Sequence, residues 1–216
     1  MSRRVFISFR YNDGHKYKDY LSSLFSKTDT VINCSESQDR SNMSEDTIKG
    51  YLYDKLKNTS VTIVLLTPDA VNHKNSYNGF RYVYDDWMYD EIKYSLDDRD
   101  GNRCNGLIAV YTPEAKNLVI ESTLNNDSIT IKGFDNLVRE NMFNIKQNYK
   151  HNQKVGIYDS KLDHYCSLIS WDVFINNFDY YIELAAQKRE NKTMYDITKR
   201  MWFLTIKLKS AILFIS

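Results

Sequence analysis

The chain reads as an α/β protein built on a mainly parallel sheet, doubly wound by helices on both faces, with a helical elaboration at its C-terminus. Three observations predict this. Over the first 111 residues, short apolar runs rich in β-branched residues alternate with stretches of helical period. One run, Val61–Leu66, is apolar at five of its six positions, the pattern of a central strand buried on both sides. Beyond residue 160 the apolar residues recur at helical spacing.

The strands are expected at residues 5–9, 31–34, 61–67 and 107–111. Between the first two, Tyr17, Leu21, Leu24 and Phe25 share one helical face. Ile48, Leu52 and Leu56 mark a second helix. Ser44 is its expected N-cap, and Glu45 and Asp46 fall in the first turn, where a carboxylate meets the positive end of the helix dipole. Met88, Ile92, Ser95 and Leu96 mark a third. Residues 112–152 are polar and mixed, and no element is assigned to them. Residues 154–159 (KVGIYD) predict one more strand. Trp171, Phe174, Ile175, Phe178, Ile182 and Ala185 lie on one stripe and predict one helix. Met194, Ile197, Met201, Leu204, Leu208, Ala211 and Ile215 recur by threes and fours, a heptad-like pattern that predicts a last helix. That helix packs on its own domain or forms an oligomer seam. The expected organisation is an α/β domain over residues 1–160 with helices over 161–216 packed on it, one domain overall.

Composition excludes several classes. Lys and Arg number 29 against 28 Asp and Glu, so no net charge draws the chain to nucleic acid or an anionic membrane. Cys34, Cys104 and Cys166 are scattered, without a disulfide framework or a CxxC pair. His15, His73, His151 and His164 show no ligand spacing, so no metal site is expected. The N-terminal apolar run is too short for a signal peptide. No run reaches the roughly 18 apolar residues of a membrane span, and a cytoplasmic location is the expectation. No glycine-rich nucleotide loop is present, and Ser8 lacks a G-x-S-x-G setting. Asp85, Asp86, Asp90, Asp97, Asp98 and Asp100 form an acidic cluster that reads as solvated surface.

In sheets of this class, ligands bind beyond the C-terminal ends of the strands. The loops there are residues 10–14, 35–43 and 68–86. The last far exceeds the roughly 2–6 residues usual in α/β units. On the helix that follows it, Glu91 falls at the margin of the apolar stripe, and Trp87 lies one turn earlier on the same side. An indole can stack on a ring, and a carboxylate beside it can meet ribose hydroxyls or a developing positive charge. On periodicity alone, a surface Glu beside a Trp at the core's edge is the plainer reading.

The opening VFISFRYND resembles the first-strand signature of TIR domains. DWMYDEI is similar to the motif of TIR enzymes in which Trp is followed four residues later by a catalytic Glu. With NTSVTIVLLTPDA between them, the order and spacing resemble the TIR-like proteins of bacterial Thoeris anti-phage defence, as does the region after residue 154, where a helix like residues 167–181 is expected. The resemblance covers residues 3–111 well. It implies a flavodoxin-like, TIR-like fold and cleavage of NAD between nicotinamide and ribose. Glu91 matches the catalytic carboxylate, Trp87 would pack on the substrate, and Phe9, Arg10 and Asp13 match the pocket wall on the first loop. NAD is substrate, with no bound cofactor or metal. The product is ADP-ribose-derived, linear or cyclic, and is made for a downstream effector; self-association is also implied. Two departures stand out: the long 68–86 loop, and a second loop, ESQDRSNMSED, without the family's usual glycine. The alternative is a non-catalytic TIR-like module acting by protein–protein contact. A flavodoxin-like receiver is disfavoured by the absence of an acidic pocket.

Overall fold

A computed structural model describes residues 2–35, 45–72, 76–77, 82–83, 87–99, 102–124, 128–132, 137–200 and 211–214. β1 (Arg3–Ser8) is buried from Val5 to Ser8 and leads into α1 (Tyr11–Phe25), whose buried face carries Leu21 and Phe25. β2 (Val31–Asn33) and α2 (Glu45–Lys57) follow, then β3 (Val61–Leu66), buried at all six positions. After α3 (Pro68–Asn72), a short antiparallel pair, β4 (Ser76–Tyr77) and β5 (Tyr82–Val83), precedes α4 (Trp87–Leu96). β6 (Gly106–Tyr111), α5 (Lys116–Val119), β7 (Ile120–Leu124), β8 (Ser128–Ile131), α6 (Leu137–Glu140) and β9 (Ile157–Asp159) come next. β10 (Cys166–Ser170), α7 (Trp171–Asn176), α8 (Phe178–Glu190) and β11 (Ala211–Phe214) complete the order.

Five strands form an all-parallel sheet in the order β10–β6–β3–β1–β2. Numbered along the chain, this is the 2-1-3-4-5 order of flavodoxin-like folds, whose winding direction reverses between the first and third strands. One face of the sheet packs Val5, Ile7, Ile63, Leu65, Ile108 and Val110 against α1, α7 and α8. The other sets Val64, Leu66, Leu107 and Ala109 against Met88, Ile92 and Leu96 of α4, while Phe6 meets Leu56 of α2. α8 lies so close to β6 that a Cβ at Gly106 would sit 2.1 Å from the Ala185 carbonyl oxygen, so only glycine fits there. A second sheet, β7–β8–β11–β9, takes two of its strands, β7 and β8, from residues 112–152, where no element is expected.

The four expected strands and the central place of Val61–Leu66 are found. Other expectations are corrected. Of the loop expected at residues 10–14 only Arg10 is outside a helix, because α1 starts at Tyr11. Residues 167–170, expected as the start of a helix, belong to β10, the fifth parallel strand. The single stripe from Trp171 to Ala185 is two helices, broken at Asn177 (φ −141°, ψ 27°). The strand expected at 154–159 is the shorter β9 and joins the second sheet. The long 68–86 segment opens with α3. The last helix is absent where the chain is described. Tyr195 makes an isolated bridge to Ile145, Thr198 N–H donates to Asn141 Oδ1 (3.0 Å), and Ala211–Phe214 is a strand beside β8 and β9. A short apolar run such as AILF fits either period, and two strands waiting for a neighbour decide it. Ser44 and residues 36–43 and 201–210 lie outside the described residues.

α8 carries a lysine inward. Lys188 is 3% exposed, and its Nζ donates to Ser167 Oγ (2.7 Å). Burial brings its ammonium down to about 7, against the pull of Cys166, Asp159 and Asp163. An unfolded lysine titrates near ~10.4, so above pH 7 the unfolded chain holds a proton the folded chain has released, and stability rises with pH. The Cys166 thiol, pushed up to about 12 by burial, works in the opposite sense once pH passes ~8.5. The melting temperature is therefore expected to rise between pH 7 and ~8.5, and Lys188→Met to flatten that rise. Equal slopes for the two proteins in thermal unfolding would contradict this.

Candidate active site

The alternation of β1 sends Phe6 and Ser8 to the α2/α4 face and Val5 and Ile7 to the α1 face. Ser8 is fully buried at the C-terminal end of the strand, opposite Val64 of β3. Its hydroxyl donates to Glu91 Oε2 at 2.5 Å. Glu91 reaches it from the first half of α4, whose stripe of Met88, Ile92 and Leu96 is in the core. The pair stands where β1 and β3 adjoin, the point of reversal at which such sheets bind ligands.

Sequence reasoning singled out Glu91 and passed over Ser8, which lacks a nucleophile motif. The signal was there: a hydroxyl two residues after Phe6 on a strand shares its face. The Ile7 N–H donates to Ser35 Oγ (2.6 Å), tying the end of β1 to the start of the second loop.

The other expected residues lie around this pair. Arg10 is the extended residue before α1 (φ −80°, ψ 128°), and its Nε and Nη2 are shielded from solvent. Trp87 opens α4, one turn before Glu91; its side chain lies outside the described residues. Phe9 turns to the α1 face and rests on Gly14, where an added Cβ would lie 3.2 Å from Phe9 Cβ. Asp13 is in the first turn of α1, not on a loop. Its Oδ1 accepts from Thr67 Oγ1 (2.6 Å) and its Oδ2 from the Asp69 N–H (2.9 Å), which closes the start of α3 against α1.

Across the sheet, the same edge carries a second group. Trp171 meets the edges of Tyr17 and Tyr20, with ring centroids 4.6 and 5.5 Å away. Tyr17 donates to Glu114 Oε2 (2.5 Å). That hydroxyl is the chief reason the Glu114 carboxyl is held down at about 2.

A family model matches the part of the chain that carries the Ser8–Glu91 pair. The family model for the TIR-like domain of the Thoeris protein ThsB matches residues 6–117, just over half of the 216-residue chain. The chain belongs to that family. The TIR-like match takes in Ser8, Arg10, Trp87 and Glu91, and ends within α5. The second sheet, β10, α7 and α8 lie beyond it.

The acidic cluster resolves in part. Asp98 pairs with Lys192 and lies 3.6 Å from Lys199. Among the described residues no group of three His, Cys, Asp or Glu side chains could hold a metal, and no helix is long and apolar enough to cross a membrane. Asp85, Asp86 and Asp100 lie outside the described residues.

Asp13 accepts two hydrogen bonds at the α1–α3 junction, beside the one that Asn12 donates to Asp69 Oδ2 (2.5 Å), so Asp13→Ala is expected to destabilise the fold by about 1–2 kcal/mol. An unchanged midpoint in urea would show that the junction holds without it.

Proposed function

We propose that the chain is an NAD-cleaving enzyme that releases nicotinamide and makes an ADP-ribose-derived signal nucleotide, linear or cyclic. Its family membership supports a role in Thoeris defence. One observation carries the enzymatic reading: the Glu91 carboxylate is held by a buried serine hydroxyl at the point where the sheet reverses its winding.

The reaction breaks the bond between the nicotinamide nitrogen and the anomeric carbon of ribose. The electron pair leaves with nicotinamide, which becomes neutral, and positive charge develops on the ribose. A fixed carboxylate beside that carbon stabilises the charge, as in glycoside cleavage. With one oxygen already held by Ser8, Glu91 needs less reorganisation as the charge forms. Water then adds at the anomeric carbon and loses a proton, giving ADP-ribose. Attack by a ring nitrogen or hydroxyl of the same molecule gives a cyclic product instead. In this reading Trp87 packs on the substrate and Arg10 meets its pyrophosphate. NAD is substrate, and the product passes to an effector that binds it.

A second reading, a module that works by contact, has its own support. Tyr11, Tyr20 and Tyr180 are 61%, 51% and 49% exposed on α1 and α8, which cover the same face of the sheet. Exposed aromatic residues on helices that cover one side of the sheet suit self-association or an adaptor role.

Purified protein incubated at high concentration with NAD is expected to release nicotinamide, read by chromatography with mass detection. Glu91→Gln should lower the rate at least about a hundredfold. Ser8→Ala, which removes one hydrogen bond to a charged group, should lower it about tenfold. An unaffected rate in Glu91→Gln would remove Glu91 from the mechanism. Absence of release by the parent protein would favour the contact reading.

A further inference from the structure

The parallel sheet has a second edge. At the N-terminal ends of its strands, away from Glu91, a shallow cleft of about 350 Å³ is lined by Arg3, Arg4, Lys57, Ser60, Asn102 and Arg189, among others. No carboxylate is among the described residues that line it. About 13 Å of strand separates Arg4 from Ser8, so this cleft and the Glu91 site are separate.

The four cations differ in what they already hold. Arg3 makes a two-pronged pair with Glu183, both contacts at 3.0 Å. Arg189 donates to the Cys104 carbonyl (2.9 Å), to Asn102 Oδ1 (2.5 Å) and to Glu190 (3.2 Å). Arg4 and Lys57 are exposed and have no ion-pair partner among the described residues. A lysine in the last turn of α2 has an ordinary role, since it complements the negative end of the helix dipole. Arg4 has no such role, because it stands on a strand.

The walls are fixed. Asn102 Nδ2 donates to the Lys57 and Thr59 carbonyls (2.6 and 2.9 Å), and Ser60 donates to the Arg4 carbonyl from both N–H (2.9 Å) and hydroxyl (3.2 Å). Thus the strand end bearing Arg4 and the helix end bearing Lys57 are tied to a common frame. Convergent cations on rigid elements are the chemistry that recognises phosphate, and the hydroxyl and amide groups between them serve to hold the frame. The volume is at the low end of the ~300–1,000 Å³ range of ligand sites.

We propose that this cleft binds a small phosphate-bearing anion, with Arg4 and Lys57 as the principal contacts. The proposal stands apart from the chemistry assigned to Glu91. Its test is calorimetric titration of pyrophosphate into the full chain at physiological salt, with Arg4→Gln/Lys57→Gln and Glu91→Gln alongside. The expected result is saturable binding with a Kd of about 1 mM or tighter, weakened at least about tenfold in the double variant and unchanged in Glu91→Gln. Both cations are exposed, so the double variant should melt with the parent; where it does not, Arg4→Gln alone is compared. Absence of saturable binding up to about 10 mM, equal binding in the variant, or loss of binding in Glu91→Gln would overturn the proposal. NAD turnover is not read, so an inactive enzyme leaves the result unaffected.

Discussion

The placement of α4 rests on a small polar network inside an apolar core. Thr62, the second residue of β3, shares a hydrogen bond with Ser95 of α4 (2.8 Å), and Asn105 Nδ2 donates to Thr62 Oγ1 (2.9 Å) and Thr59 Oγ1 (2.7 Å). The Asn105 N–H donates to the Ser95 carbonyl (2.6 Å). All four residues are buried. Leaving such a group unpaired costs roughly 1–3 kcal/mol, so the helix has one register in which every partner is met. Ser95 and Glu91 are four residues apart and share a face. The register that satisfies Ser95 therefore brings Glu91 to Ser8, and the carboxylate's position follows from the core.

The two edges of the sheet are chemically unlike, and strand polarity is the reason. The C-terminal edge gathers the Ser8–Glu91 pair on one side and Tyr17, Glu114 and Trp171 on the other. The N-terminal edge receives the C-terminal ends of α2 and α8, whose last carbonyls need donors. Arg99 Nη1 donates to the Leu56 carbonyl (2.5 Å), and Asn102 to the next. Cations collect at that edge for a structural reason, and Arg4 adds one that the helices do not require. A net charge near zero, which argued against polyanion partners, conceals this segregation.

What the sequence revealed tracks how strongly each element is dictated locally. Val61–Leu66 is apolar because both its faces are covered, and it was legible at once. Cys166–Ser170 was not, because its five residues run directly into the stripe beginning at Trp171. Nor does that stripe betray the break at Asn177: Phe174, Phe178 and Ile182 pack on one side whether or not the backbone turns between them. The heptad-like tail misled for a related reason. Spacing by threes and fours describes a helix only if no sheet offers backbone partners, and the second sheet is assembled from distant segments that no local pattern joins. In the site, Glu91 and Trp87 were legible as a motif. Ser8 was not, because its significance lies in a contact across 83 positions of chain.

The register of β1 gives the site its sharpest constraint. The strand is paired on both sides, with Ser8 opposite Val64 and Val5 opposite both Asn33 and Val61. Side chains alternate with period two, so a slip of one residue would turn Ser8 to the α1 face and bring an apolar side chain against Glu91. The same slip would carry Val5 and Ile7 out of the α1 core. Sliding is therefore opposed by the whole apolar content of the strand, not by the one hydrogen bond at its end. Phe9 adds a stop: its ring lies against Gly14, the one residue of α1 without a side chain to displace it. A hydroxyl whose position is set in this way can hold a carboxylate without being held by it, which is what a preorganised site requires.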